Sequence, residues 1–387
     1  MQCWQRRARI ASEFLTNDDR HVLADSERLL LGRIFRARRI TQGELTDTVP
    51  LSQQSVSRMV QSLELRGLIL KDGRQVSGQR GQPSAILTIN PTYAYSMGVS
   101  IMADSLTLLL LDFAGGLVDV VTPKLPDLTR EAIVRAISEG LDTLIKKAGI
   151  HRRRVFGVGV AVTGFRVGAG ATFNTPPSLE ALALVDLEDL FSESLDLPVW
   201  AENDGKAATV GENLNGVGRR FENFAYYFIA TGVGGGIIVD GRLLRGSRGN
   251  AGEFVGVLPI GTYASPNLEG LRRCLEEEGV AVSSVAQLVA NYNDDWPGID
   301  RWIAEVAPSL SLMASATAAT LDTEAIVLGG LMPTLLAQRL IPHIQFFDIN
   351  RREVMREHAA IIPAECEGDA AMMGAALLPL VGEFFQI

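Results

Sequence analysis

The sequence contains few cysteines, few histidines and no hydrophobic run long enough to cross a membrane. Three of its 387 residues are cysteine and four are histidine, and they are scattered along the chain. That scatter argues against a disulfide scaffold and against a zinc site with closely spaced ligands. The longest apolar segment, residues 224–239, contains 16 residues and four glycines, whereas a membrane helix needs roughly 20 apolar residues. Because the first residues also lack the apolar core of a signal peptide, we expect a cytoplasmic protein with no membrane partner.

Positive charge is scarce overall but concentrated at one end of the chain. The net charge is −9, yet residues 1–90 contain 14 Lys/Arg and 9 Asp/Glu, a balance of +5. The remaining residues contain 22 and 36, a balance of −14. A basic segment joined to an acidic body predicts an anionic partner for the amino-terminal segment alone. An excess of arginine on solvated helices is the alternative explanation.

The amino-terminal segment contains start and stop signals for three helices. The first is predicted to begin at Ser26, with that serine as its cap. The second begins at Thr41, which forms a T-x-x-E capping box with Glu44. Ser52 can cap the third, and Gly67 follows its last turn. Two helices joined by a tight turn, the second of them amphipathic, predict a helix-turn-helix.

The third helix and the segment after it have the features of a DNA-binding surface. Residues 68–70 and 86–89 are predicted strands, and Asp72-Gly73 a tight turn. The loop after that turn, residues 74–84, contains Arg74 and Arg80 and no acidic residue, as in a basic wing. The side chains predicted to contact DNA on the third helix are Gln53, Gln54, Ser55, Ser57 and Arg58. A three-helix module that binds protein is the alternative.

The rest of the chain alternates predicted strands and helices, which indicates an α/β fold with helices on both faces of its sheets. A predicted strand at 225–230 enters the glycine-rich segment 231–236 and continues into another strand. A dinucleotide-binding fingerprint would enter a helix there, so a Rossmann fold is disfavoured. The glycines would let backbone N–H groups approach a phosphate, with the Thr231 hydroxyl beside them. A glycine hairpin without a ligand is the alternative.

A second motif, Glu202-Asn203-Asp204-Gly205, stands at the end of a predicted strand at 198–201. Ligand sites form where strands end in open α/β sheets, and an amide beside a carboxylate suits sugar hydroxyls. Asp204 could take a proton from a hydroxyl that attacks a phosphoryl group. The alternative is a helix cap that follows a strand.

These two motifs, with Gly249-Asn250-Ala251-Gly252-Glu253 and Gly329-Gly330, resemble the ROK family (repressors, open reading frames and sugar kinases) from about Ser26 to the end of the chain. The resemblance implies a winged helix-turn-helix followed by a two-lobed actin/hexokinase-like (ribonuclease H-like) domain with a ligand cleft between its lobes. It implies sugar or ligand contacts at Asn203, Asp204, Glu253, Glu276, Gly164 and Asn174. It implies a phosphate loop at Thr231, Gly232, Gly234, Gly235, Gly329 and Gly330. The implied segments are an extension at 1–24, a DNA-binding domain at 25–90, a first lobe at 91–206 plus 367–387, and a second at 207–366.

The sequence departs from the family's kinases in two places. Those kinases begin their first strand with an Asp that places Mg²⁺, where this chain has Ser100, and Met102 occupies the space of the phosphate. We therefore expect kinase activity to be lost. Only if kinase activity were retained would Asp204 be a catalytic base and ATP with Mg²⁺ be the cofactors. The family's zinc-binding His is replaced by Gly256, and Cys274 alone remains of the cysteine cluster. One cysteine cannot close a tetrahedral site, so we predict no zinc and no other metal.

The sequence thus predicts a sugar-responsive DNA-binding regulator, a repressor whose partners are an operator, a sugar or derivative, and other copies of itself in a homodimer or homotetramer. An active ATP-dependent sugar kinase, with or without DNA binding, is a second interpretation, and a protein-interaction scaffold is a third. Ser100 distinguishes the first from the second. In the first, closure of the lobes around the ligand would change how well two winged domains match two half-sites.

Overall fold

The computed structural model describes residues 23–75, 84–102, 105–125, 127–347 and 356–386. The chain folds into two compact units. The first contains the chain up to Asn203 and again from Met372 onward, and the second contains Asp204–Ala371. The chain therefore passes from one unit to the other inside the Asn203-Asp204 motif and inside its last helix.

The first unit begins with three helices and a small antiparallel sheet. The helices are α1 (Asp25–Ala37), α2 (Gln42–Asp47) and α3 (Gln53–Leu65). The strands are β1 (Ile40–Thr41), β2 (Ile69–Gln75) and β3 (Ser84–Ile89), in the order β1-β3-β2. Their shared core contains Leu30, Ile34, Val56, Val60 and Leu87, all of which are almost fully buried. The winged helix-turn-helix topology is therefore as predicted.

Two of the three predicted helix caps are confirmed and one is wrong. The Thr41 hydroxyl accepts the Glu44 N–H at 3.3 Å, while a Glu44 carboxylate oxygen accepts the Thr41 N–H at 2.8 Å. The Ser52 hydroxyl accepts the Ser55 N–H at 3.2 Å. At α1, however, the cap is Ala24, and Ser26 lies in the first turn. The backbone N–H of Ala24 donates to the Glu27 carboxylate at 3.1 Å, so an acidic residue stabilises this helix start in place of a serine cap.

The predicted tight turn at Asp72-Gly73 is wrong. Strand β2 continues through it, and the register with β3 shifts between Asp72 and Arg74, which is a β-bulge. Arg74 and Gln75 still pair with Ala85 and Ser84, so the strands have not yet ended where the turn was expected. Glycine suits both structures, because a bulge and a tight turn make similar demands on the backbone.

The remainder of the first unit is built on a five-stranded sheet with the order β10-β7-β4-β5-β6. Its strands are β4 (Tyr95–Ile101), β5 (Leu106–Asp112), β6 (Leu117–Val121), β7 (Val155–Val162) and β10 (Val199–Asn203), and β8 (Phe165–Arg166) pairs with β9 (Phe173–Asn174) as a separate ribbon. Its helices are α4 (Arg130–Ala148), α5 (Leu187–Leu195) and the last helix of the chain, α11 (Ala370–Glu383).

Side chains of β4 and β7 alternate between two different neighbours. Met97, Val99 and Ile101 point into a core shared with α4 and α5. The residues between them lie on the other face, where Gly98 pairs in register with Gly159. A Cβ at Gly159 would lie 1.7 Å from the Ala375 carbonyl oxygen. These two glycines therefore allow α11 to lie directly on the sheet backbone.

The second unit has its own five-stranded sheet, in the order β13-β12-β11-β14-β15. The strands are β11 (Phe224–Ile229), β12 (Val233–Val239), β13 (Arg242–Leu243), β14 (Ala325–Gly330) and β15 (Ala360–Pro363). The helices are α6 (Asp204–Asn215), α7 (Leu268–Glu277), α8 (Val285–Ala290), α9 (Ile299–Leu321) and α10 (Thr334–Leu340). Large side chains such as Trp302, Leu310 and Tyr227 form its core. In the part of the chain that the structure describes, no helix is both long and apolar enough to cross a bilayer.

Candidate functional site

Three of the predicted ligand residues lie together in the first unit. The Asn203 side chain, at the end of β10, donates from Nδ2 to the Gly164 carbonyl oxygen at 2.8 Å. Gly164 has a φ of +139°, and a Cβ there would lie 2.5 Å from the Asn174 carbonyl oxygen. Glycine is therefore required at this position, because both its backbone conformation and the space around it exclude a side chain. Asn203 itself is buried at the end of its strand.

Arg166 supports this group and was not foreseen from the sequence. Its guanidinium donates to the Ala201 carbonyl oxygen at 2.9 Å and lies 3.6 Å from the Glu202 carboxylate, which is almost fully buried. It also stacks over the Phe173 ring at 4.9 Å from the centroid. Arg166 thus ties the β8–β9 ribbon to the end of β10. A lone arginine in a glycine-rich segment gave no signal of this role.

In the second unit, Lys206 links α6, the helix that begins with Asp204, to Glu253. Asp204 is buried at the first position of α6, and its Oδ1 accepts the Gly205 N–H at 2.8 Å. Lys206, two residues further along α6, has a side chain that is 0% exposed, and its Nζ lies 3.3 Å from Glu253 Oε1. Sequence reasoning also missed Lys206, since a single lysine after Asp-Gly resembles an ordinary surface residue.

The backbone around Glu253 is packed closely on β12. Gly252 has a φ of +94°, and a Cβ there would lie 2.7 Å from Gly236 Cα. On the other side of Glu253, the Phe254 ring packs on that of Tyr227 with centroids 4.7 Å apart. A Cβ at Gly235 would lie 2.8 Å from the same Phe254 ring. Glu253 therefore projects from a backbone segment that is fixed on both sides.

The glycines of the predicted phosphate loop are of two kinds. Thr231 and Gly232 form the turn between β11 and β12, whereas Gly234 and Gly235 lie inside β12. A Cβ at Gly235 would come within 2.3 Å of the Tyr226 carbonyl oxygen, so packing alone requires this glycine. Around Gly232, in contrast, a Cβ would meet no described atom within 4 Å, and at Gly234 only Gly205 Cα at 3.9 Å. Packing therefore accounts for Gly235 but not for Gly232 or Gly234, and the phosphate loop that these glycines and Thr231 would form stays a prediction.

Gly329 and Gly330, at the end of β14, both contact Tyr226. A Cβ at Gly329 would lie 2.2 Å from the Tyr226 hydroxyl oxygen, and that oxygen accepts the Gly330 N–H at 2.8 Å. Gly330 has a φ of +84°. Burial raises the pKa of Tyr226 well above its usual value, so its hydroxyl is neutral. The two glycines thus have a packing role, and their part in a phosphate loop stays a prediction.

Glu276 and Cys274 lie on α7. Glu276 is 47% exposed and lies 2.5 Å from Arg272, which also pairs with Glu269 at 2.6 Å. Its predicted contact with a sugar stays a prediction. Cys274 is buried, with its Sγ 3.9 Å from a Glu305 carboxylate oxygen. Among the described residues, no three His, Cys, Asp or Glu side chains gather in a way that could hold a metal ion.

The residues that depart from the family's kinases lie at the end of β4. Ser100 is 4% exposed and pairs in register with Ala161 of β7 and Thr107 of β5. The Met102 N–H donates to the Ser105 carbonyl oxygen at 2.9 Å, next to the first residue of β5. A buried hydroxyl here cannot replace the charge of a metal-binding carboxylate.

The residues predicted to contact DNA lie on one side of α3. Gln53, Gln54, Ser57 and Arg58 are exposed there, and the helix packs its Val56 and Val60 against the core. Ser55 is half-buried, and its hydroxyl lies 2.9 Å from that of Ser52. Arg74 lies near the end of β2, and its side chain, like the whole of Arg80, lies outside the described residues.

Comparisons with known proteins give both repressors and sugar kinases among the relatives. A xylose repressor of Caldicellulosiruptor bescii is 25% identical over 296 residues, which are 74% of this chain and 72% of that protein. An N-acetylmannosamine kinase of Yersinia pestis is 32% identical over 267 residues, which are 62% of this chain and 84% of that protein.

A solved structure of a ROK family transcriptional regulator, a homologue of the E. coli MLC protein, shares the fold. It covers 92% of this chain and 96% of its own, with a TM-score of 0.69 and 19% identity. The predicted fold class, a winged helix-turn-helix followed by a two-lobed actin/hexokinase-like domain, is confirmed. The model of the ROK family matches residues 97–380, about three quarters of the sequence, and the chain therefore belongs to the ROK family.

Proposed function

We propose that this protein is a sugar-responsive transcription regulator of the repressor type, which binds an operator through its winged helix-turn-helix and a carbohydrate or derivative through its ROK domain. The observation that carries the proposal is the exposed polar face of α3. Ser52 caps this helix, and the antiparallel strands β2 and β3 follow it. A similar chain is a named xylose repressor, which supports the same assignment.

The proposed DNA contacts follow from the chemistry of the exposed side chains. Glutamine can hydrogen-bond adenine edges in the major groove, and arginine can bind guanine edges or phosphate. Gln53 and Gln54 lie in the first turn of α3, where helix N–H groups also favour a phosphate. Arg58 is exposed one turn later. Because winged domains commonly read two half-sites, we propose a homodimer or homotetramer as the binding species.

The proposed effector contacts are Asp204 and Glu253 of the second unit, with Asn203 next to Asp204 in the chain. Buried or half-buried carboxylates and amides recognise the hydroxyls of a sugar by accepting and donating hydrogen bonds in fixed directions. Asn203 is fixed by its bond to Gly164, and Glu253 by its contact with Lys206. An effector acts on DNA binding only if it binds two states of the protein with different affinity.

An active sugar kinase is the second candidate, favoured by the similarity to an N-acetylmannosamine kinase. Against it stands Ser100, which is buried where family kinases have the carboxylate that places Mg²⁺. Neutralising phosphate charge with Mg²⁺ is central to phosphoryl transfer. We therefore propose a protein without a cofactor, with Asp204 as a sugar contact and not as a catalytic base.

A gel-shift titration tests the proposal. The full chain is titrated on a DNA fragment that contains its own promoter, with and without D-xylose, D-glucose, D-mannose, D-galactose and N-acetyl-D-mannosamine. We expect a specific shift that one sugar weakens or strengthens at least tenfold. Equal affinity with every sugar contradicts sugar control, and the absence of any shift contradicts DNA binding. Sugar-dependent release of ADP from ATP, measured on the same preparation, would support the kinase instead.

A further inference from the structure

We propose that Lys206 is a positioning residue that determines the sugar specificity of the effector site, because its ammonium fixes the Glu253 carboxylate in one orientation. The inference rests on the proposed function, in which Glu253 contacts the sugar. It adds a residue that does not itself need to contact the ligand. Both side chains belong to the second unit.

The burial of Lys206 is the first observation. Its side chain is 0% exposed, and lysine is almost never fully buried unless it is paired. Removing an ammonium from water is costly, and only good partners offset that cost. Helix α6 is buried from Asp204 to Leu214. At position 206 an apolar side chain would avoid the cost of burying a charge. Such a cation calls for an explanation beyond packing.

The contact between Lys206 and Glu253 is the second observation. Glu253 Oε1 lies 3.3 Å from Nζ, yet the Glu253 side chain is 32% exposed. The carboxylate thus extends from a fully buried ammonium to an accessible surface. A carboxylate has two oxygens with several lone pairs, so Oε1 can bond the ammonium while Oε2 accepts a hydrogen bond from a ligand hydroxyl.

The backbone of Glu253 is the third observation. Gly252 and Phe254 fix the main chain on either side by their contacts with Gly236, Gly235 and Tyr227. With the main chain held, only the side-chain torsions of Glu253 remain to be restricted, and the bond to Lys206 restricts them. The sequence therefore specifies the position of one acceptor atom through two independent sets of contacts.

A fixed acceptor selects for stereochemistry. A sugar whose hydroxyl points at Oε2 pairs with it, whereas an epimer leaves a polar group unpaired, and that mismatch is disfavoured once the bound sugar excludes water from the carboxylate. A carboxylate that can rotate loses much of this discrimination. The ligand class that fits is a neutral sugar with a free hydroxyl, recognised by its configuration at one carbon.

The test compares the wild-type protein with Lys206→Met and Lys206→Gln. Methionine keeps an unbranched side chain one atom shorter than lysine and has no donor, and glutamine, also one atom shorter, keeps a donor without the charge. Dissociation constants for D-glucose and its epimers D-mannose and D-galactose, and for D-xylose, are measured by titration calorimetry. We expect the preference between the best sugar and its epimer to fall about tenfold in Lys206→Met and by a smaller factor in Lys206→Gln.

Thermal unfolding and operator binding without sugar are measured for each variant. A lower Tm with an unchanged preference among the sugars would show that Lys206 only stabilises the fold, and would overturn the inference while leaving the proposed function intact. If Lys206→Met does not fold, an unchanged preference in Lys206→Gln overturns it equally. A wild-type protein that binds none of these sugars contradicts the proposed sugar response, and with it this inference.

Discussion

The ring of Phe35, in the first helix of the winged domain, packs against the ring of Phe385, two residues from the end of the chain, with centroids 4.6 Å apart. Both side chains are almost fully buried. Phe113 contacts the same Phe385 ring at 5.3 Å. In addition, Arg28 donates to the Gly382 carbonyl oxygen at 2.9 Å. The carboxyl-terminal segment thus fastens the winged domain to the rest of the first unit.

Replacing Phe385 should loosen that attachment. Phe385→Ala removes a buried ring from a cluster of aromatic contacts, and such a change costs about 3–5 kcal/mol. Helix α1 also carries Glu27, which pairs with Arg66 at the end of α3 at 2.9 Å. We therefore expect a lower Tm and weaker binding to the operator. The control is Phe347→Ala, whose ring is 62% exposed. Equal loss of stability in both variants would contradict this account.

Arg58 should contribute to DNA binding through charge. It is exposed on α3, and each phosphate contact adds about one unit to the slope of log K against log salt concentration. Arg58→Ala should therefore weaken operator binding and reduce that slope by about one. Arg153→Ala, which removes an exposed arginine from the body, is the matched control and should leave the slope unchanged. An unaltered slope in Arg58→Ala removes Arg58 from the set of phosphate contacts.

Restoring an acidic residue at position 100 should not restore kinase chemistry. Ser100 is 4% exposed inside β4, so Ser100→Asp buries a carboxylate with no metal or cationic partner supplied by the change. We expect a loss of about 1–3 kcal/mol or more in the free energy of unfolding, and no ADP release with any sugar. Ser100→Ala should be close to wild type in both measurements. Sugar-dependent turnover by Ser100→Asp would show that the phosphate site is otherwise intact.

The sequence predicted the elements that local chemistry determines and failed where distant residues decide. The Thr41–Glu44 capping box and the Ser52 cap each lie within four residues, so the sequence alone specifies them. At α1 several polar residues can cap, and the structure uses Glu27. The pair Asp72-Gly73 suits a turn or a bulge, and only the pairing of β3 decides between them.

The candidate site shows the same division. Asn203 and Asp204 were recognised from their place at the end of a predicted strand, and Glu253 from the resemblance to the ROK family. The ion pair between Lys206 and Glu253 joins residues 47 positions apart, and no local pattern indicates it. A buried lysine cannot be told from an exposed one until β11 and β12, the strands on which α6 packs, are in place.

The Glu212 carboxylate should contribute a pH-dependent component to stability. It is buried in α6 and accepts the N–H groups of Val217, Glu365 and Cys366 at 2.8–3.0 Å. Burial raises the pKa of Glu212 above its ordinary value of 4.5, against the lowering effect of these donors. The folded protein therefore binds this proton more tightly than the unfolded chain. The stability that Glu212 contributes is present at acidic pH and declines as pH rises above 4.5.

Glu212→Gln tests this sign. Glutamine keeps one acceptor oxygen but sets its NH₂ group against a backbone donor, which should cost about 1–3 kcal/mol. Only the wild type has a carboxyl group at position 212, and its ionisation at higher pH lowers the free energy of unfolding. The amount by which the wild type is more stable than Glu212→Gln should therefore be largest at acidic pH and smaller near neutral pH. Urea denaturation at several pH values measures it. Glu139→Gln, at an exposed position of α4, should show neither effect, and a difference that grows with pH would contradict the assignment.

The two kinds of glycine in β12 and its turn should respond differently to alanine. A Cβ at Gly236 would lie 2.4 Å from Thr209 Oγ1 and 2.9 Å from Thr209 Cβ, so Gly236→Ala forces α6 away from the strand. Overpacking of this kind costs about 1–3 kcal/mol. A Cβ at Gly232 meets no described atom within 4 Å, so Gly232→Ala should change the free energy of unfolding by less than about 0.5 kcal/mol. Thermal and urea unfolding of the two variants measures the difference. If both variants lost the same stability, the backbone conformation of the turn at Gly232 would also require glycine. The claim that packing alone distinguishes Gly236 from Gly232 would then be wrong.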